Sequence, residues 1–106
     1  MKGLWTVFYV KEPRWFGRET VPTAETFGTL YAAVKKVMAE SVEEVFEKMQ
    51  GENWSPNGEA RPMIEALGLT HTSMSVGDVA EGPNGELQMV ENFGWKTLEF
   101  KRGGAA

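Results

Sequence analysis

Leu30-Tyr31-Ala32-Ala33-Val34-Lys35-Lys36-Val37-Met38-Ala39-Glu40-Ser41-Val42-Glu43-Glu44 is the stretch that decides the fold. Apolar residues at Phe27, Leu30, Tyr31, Val34, Val37, Met38, Val42, Val45, Phe46 and Met49 have the spacing of one long amphipathic helix. Against that, Ser41-Val42-Glu43-Glu44 has the form of a capping box, with the Ser41 hydroxyl on the Glu44 amide and Glu44 reaching back to the Ser41 amide. An N-cap serine holds non-helical dihedrals, so a helix that starts there makes 30–39 something else, namely a strand. Periodicity and caps alone leave the two alternatives even. In both, 41–50 is a helix that buries Val42, Val45, Phe46 and Met49 and stops at Gly51.

Upstream, Leu4-Trp5-Thr6-Val7-Phe8-Tyr9-Val10 is aromatic and β-branched and reads as a strand, either covered on both faces or with one aromatic, partly exposed face. Residues 11–22 read as a loop in which Trp15 and Phe16 fold back onto the core. Downstream, Trp54-Ser55-Pro56-Asn57-Gly58 is turn chemistry, because Pro presets φ and Asn-Gly accepts positive φ. Arg61 to Leu69 reads as a short helix with Pro62 in its first turn and Gly68 just past its end. After His71 the period changes to two. Strands are expected at 75–80, 86–91 and 95–100, separated by turns at Gly82-Pro83-Asn84-Gly85 and Asn92-Phe93-Gly94.

A chain of 106 residues is one domain, 1–106, large enough to hold a core unaided. The end of the chain, 101–106, is expected to fray. Without cysteine there is no disulfide, no thiolate chemistry and no Cys-based zinc site. No apolar run is long enough to span a bilayer and no signal-peptide pattern is seen, so a cytoplasmic protein without membrane contact is expected. A net charge of −4 argues against a general nucleic-acid binder.

The chemistry-bearing stretch is His71-Thr72-Ser73-Met74-Ser75-Val76-Gly77-Asp78-Val79, with the single histidine and a Gly-Asp turn. Extended, it places His71, Ser73 and Ser75 on one face. Side chains two apart on a strand project in parallel rather than converging, and no nucleophile elbow is present, so no catalytic residue is assigned. One histidine and scattered carboxylates make no metal-ligand set, and no cofactor is expected. The structural reading has the hydroxyls capping backbone amides, Asp78 bonding amides of the Gly77 turn, and Met74 and Val76 pointing to the core. The functional reading is a binding surface of His71, Ser73 and Ser75 with Trp54, Asn57 and Arg61 on a neighbouring recognition edge. Lys35, Lys36, Lys96, Lys101 and Arg102 would form one basic stripe, with Trp95, if strands 30–39 and 95–100 were neighbours.

The runs Met49-Gln50-Gly51-Glu52-Asn53-Trp54-Ser55-Pro56-Asn57-Gly58-Glu59-Ala60-Arg61, His71 to Val79, and Asn92-Phe93-Gly94-Trp95 resemble the small YodL-like domains of phage, plasmid and other mobile-element proteins. The resemblance covers about residues 29–100. It implies strand-then-helix for 30–50 and therefore an α+β fold: an antiparallel sheet of four to five strands with two short helices packed on one face. The biochemical function of these domains is undefined. With no catalytic constellation, the expectation is a non-enzymatic adaptor or inhibitor-like module that binds a protein partner. The alternatives are a nucleic-acid-binding accessory protein that uses the basic stripe, and a small hydrolase centred on His71. A homodimer paired through an edge strand such as 4–10 is also open.

Overall fold

The computed structural model describes residues 2–11 and 22–102. The expected Trp15–Phe16 contact with the core and the fraying of 103–106 lie outside the described residues. Five strands form one antiparallel sheet: β1 (Gly3–Val10), β2 (Tyr31–Ala39), β3 (Val79–Glu81), β4 (Leu87–Val90) and β5 (Trp95–Thr97), in the order β2-β1-β3-β4-β5. Among the described residues there are four short helices, where two were expected: α1 (Phe27–Leu30), α2 (Val42–Lys48), α3 (Gly51–Trp54) and α4 (Arg61–Ala66).

β1 is central rather than an edge, because its two faces each supply a core. Trp5, Val7 and Tyr9 join one cluster with Val45 of α2, Met49 just past its end and Ile64 of α4; Phe8 and Val10 join another with Phe27 of α1, Leu87 and Leu98. A strand buried on both faces is driven to the middle of a sheet. The expected self-pairing through 4–10 is therefore corrected: both sides of β1 are taken. The basic stripe is corrected too, since β2 and β5 are opposite edges of the sheet. Lys35 and Lys36 stand on one edge strand and Lys96 on the other.

The 30–44 stretch resolves as strand then helix. Ser41 is the N-cap of α2, extended at φ −156°, and its Oγ accepts from the Glu44 amide at 3.2 Å. The return bond differs by one residue from the expected box: Glu44 Oε1 accepts the Glu40 amide at 2.7 Å. A bulge shifts the β1–β2 register at Val34, between the Phe8–Ala33 and Val7–Lys35 pairs. Tyr31 consequently joins the core of Phe8 and Phe27, whereas Val34, Val37 and Ala39 join that of Trp5 and Val7. Gly51 does not end the helical run. It opens α3, behind Gln50 as N-cap.

α4 ends as expected, with Gly68 at φ +77°, its N–H on the Glu65 carbonyl and the Leu69 N–H on the Ile64 carbonyl, the paired bonds of a Schellman motif. Two strand expectations need correction. Residues 75–78 are a turn, and β5 stops at Thr97, although Leu98 still donates to the Leu87 carbonyl at 2.8 Å. Arg102 is not frayed: its guanidinium holds Glu81 through two bonds, at 2.8 and 3.1 Å, and lies 5.1 Å from the Phe8 ring. No helix among the described residues is long and apolar enough to cross a membrane.

Candidate functional site

The site grows from the place where β1 and β3 part. Their ladder runs only through Thr6–Glu81, Val7–Ala80 and Phe8–Val79. One step further, the Asp78 side chain replaces the backbone rung, and its Oδ1 accepts the buried Val10 N–H at 2.8 Å. Its Oδ2 accepts the Ser75 N–H at 2.8 Å and lies 2.8 Å from His71 Nε2. Asp78 is fully buried. Asp78 N–H closes on the Ser75 carbonyl at 2.9 Å, with Gly77 at φ +96°. That local turn defeats the expected strand, and it leaves Val76 exposed rather than in the core while Met74 is buried.

The His71 ring stacks on Tyr9, with centroids 4.7 Å apart and planes 13° from parallel. The Thr72 carbonyl accepts two donors, Tyr9 Oη at 2.6 Å and Trp54 Nε1 at 3.1 Å. Ser73 Oγ accepts the Gly51 N–H at 2.7 Å, supplying the first turn of α3 with a cap that Gln50 does not give. Ser75 Oγ donates to the Ser73 carbonyl at 2.9 Å. Gln50 Nε2 and the Met74 N–H tie the same segment to α2, through the Met74 and Met49 carbonyls at 3.2 and 3.1 Å. From the sheet side, Tyr31 Oη donates to the Gly77 carbonyl at 2.6 Å.

Neither a scan of protein-family models nor searches of curated proteins and of solved structures returned a match. The chemistry of the site is therefore read from its own geometry.

Burial, reinforced by the Asp78 charge, drives the Tyr9 and Tyr31 hydroxyls far above their ordinary range, so both remain protonated donors. Burial also pushes Asp78 up, against the pull of His71 and of the Val10 and Ser75 amides. A carboxylate that accepts from Nε2 leaves His71 Nδ1 as the open nitrogen. Nδ1 is buried, with no hydrogen-bond partner among the described residues. A Ser-His-Asp relay needs a hydroxyl on that nitrogen, and the Ser73 and Ser75 hydroxyls are engaged elsewhere. Among the described residues no group of three or more His, Cys, Asp or Glu could hold a metal ion.

The structure brings Trp54, Ser73 and Ser75 into one hydrogen-bonded staple around residues 72 and 73, and His71 joins it only through Asp78, which also holds the Ser75 N–H. Asn57 and Arg61 stand outside it. Asn57 is exposed and bonds Glu59, with its N–H on Oε1 and its Nδ2 on Oε2; the Asn57 amide is the main cause holding that carboxyl below its usual range. Arg61 is exposed, 3.9 Å from Glu65. Sequence reasoning missed Tyr9 and Tyr31, whose polar tips were hidden in apolar strand patterns. It also read Phe93 as an ordinary turn residue, yet Phe93 is 96% exposed.

Proposed function

We propose that this chain is a non-enzymatic interaction module that acts by contact with a partner protein in the cytoplasm, in the phage or mobile-element setting that the YodL-like resemblance implies. The observation that carries this reading is Phe93, 96% exposed at the tip of the β4–β5 turn. The turn is fixed by the Glu91 N–H on the Gly94 carbonyl at 3.0 Å and by Gly94 at φ +81°. A phenylalanine on a rigid tip contributes nothing to this core, and burying it in a partner would gain about 1.5–3 kcal/mol. The engagement of His71, Ser73 and Ser75 inside the protein favours contact over catalysis. Trp54, Asn57 and Arg61 are the remaining candidates for the rim of the contact. In this reading α2 and α4, whose buried residues share one cluster, cover one face of the sheet and leave the turns free to meet the partner.

The test is affinity capture from host lysates with the wild-type chain and Phe93→Ser in parallel. The variant should unfold at an unchanged midpoint and lose a specific partner that the wild type retains. Identical capture profiles would remove the reading.

A further inference from the structure

We propose that the outer edge of β2 takes up an acidic segment of a partner protein as an added, extended strand. This goes beyond the protein-contact reading above, at the sheet edge opposite the β4–β5 turn, and rests on that reading. Among the described residues β2 pairs with β1 alone, so one side of a nine-residue strand has no neighbouring strand. Beside it runs a groove of about 380 Å³, lined by Lys35, Lys36, Met38, Lys48, Asn53 and Trp54 among others.

The groove is basic and aromatic in a protein whose net charge is −4. Among the described residues Lys35 has no carboxylate partner, and its ammonium sits 5.4 Å from the centre of the Trp54 ring. Lys48 Nζ donates to the Met38 carbonyl of β2 at 2.9 Å while also lying 3.3 Å from Glu44. A side-chain donor thus stands where the N–H of an added strand would, and such a strand would release Lys48 to meet a carboxylate. Strand addition supplies main-chain hydrogen bonds for affinity and alternate side-chain positions for selection.

Two occupants compete for this edge, and charge separates them. The midpoint of Tyr31–Ala39 is Lys35. A second copy paired antiparallel about that midpoint would set Lys35 against its own counterpart, with Lys36 against Val34, and like charges directly opposed destabilise a strand pair. Lysines and a bulge are also what sheets use to stop edges pairing indiscriminately. What they repel is a basic strand or a second copy, and what they admit is an acidic one.

The test uses the full chain, isotopically labelled, and a nine-residue capped peptide that alternates glutamate with valine. Controls are its lysine counterpart, two versions N-methylated on odd or on even residues, and a short DNA oligonucleotide. The acidic peptide should shift the β2 amides and the Trp54 indole, and the lysine peptide should bind at least about tenfold more weakly. One N-methylated version should lose binding and the other keep it, because only one side of an added strand faces β2. Lys35→Gln and Lys48→Gln should each weaken binding about two- to fivefold, with the amide spectrum away from β2 unchanged. The proposal falls if the lysine peptide binds as well, if both N-methylated versions bind equally, if the oligonucleotide competes for the same amides, or if sedimentation shows a dimer that protects β2. A peptide that fails while Phe93→Ser still loses its partner removes the strand addition and leaves the protein-contact reading standing.

Discussion

Asp78→Ala removes the acceptor on which three groups converge, and its cost can be worked from the bonds it breaks. The Val10 N–H is buried, and losing its 2.8 Å acceptor should cost about 1–3 kcal/mol. The Ser75 N–H is partly buried and can recruit water, so about 1 kcal/mol is appropriate there. His71 loses its Nε2 partner and keeps its stack on Tyr9, for about another 1 kcal/mol. Relief from burying a carboxylate offsets part of this, as the upward push on Asp78 indicates. The net expectation is about 2–4 kcal/mol, a large share of the 5–15 kcal/mol typical of a domain. Asp78→Asn should cost less, about 1–2 kcal/mol: one amide orientation serves Val10 and the other serves Ser75, so one N–H always faces a donor. Urea unfolding followed by tryptophan fluorescence measures both, and amide exchange at Val10 reports the local bond. An Asp78→Ala variant within about 0.5 kcal/mol of wild type, with Val10 still protected, would refute the idea that this carboxylate holds the β1–β3 junction.

Two further outcomes follow from single groups. Tyr31→Phe removes the donor to the Gly77 carbonyl and should cost about 0.5–1.5 kcal/mol, read by thermal unfolding, with the loss of protection concentrated at 75–78. Glu44 is held down to about 2, first by the Glu40 amide and then by Lys2, so the folded chain binds this proton less tightly than the unfolded one. Its contribution is therefore present above about pH 4.5, the ordinary value, and lost as pH falls towards about 2. Glu44→Gln should flatten the unfolding midpoint against pH across that window, and an unchanged slope would count against the assignment.

Local signals carried much of this fold. Ser41 with Glu44 marked the start of α2, Gly68 the end of α4, and the Gly82–Gly85 and Asn92–Gly94 turns the C-terminal meander, because each is a bond between residues a few positions apart. What the sequence hid was long-range. Ser73-Met74-Ser75-Val76 alternates like a strand, yet a buried carboxylate and a Gly77 at positive φ make the strand begin only at Val79. The central position of β1 depends on partners 21 (Val10–Tyr31) to 75 (Thr6–Glu81) residues away. At the site, the residue types around His71 were legible as a capped turn. The Tyr9 stack and the Trp54–Thr72 bond were not, since both join segments that only the finished sheet brings together.

The extra residue at Val34 has a consequence for how this chain tolerates change in length. β2 is read in one phase up to Ala33 and in the opposite phase from Lys35 onward. Adding a residue between Tyr31 and Ala39, or removing one other than Val34, would exchange inside for outside along part of the strand, whereas loss of Val34 itself would close the ladder with every other pair kept. Changes of length should be tolerated best in the exposed turns, such as Pro83–Asn84. A relative compared with this chain by alternation of polarity alone would be aligned one position out over half of β2.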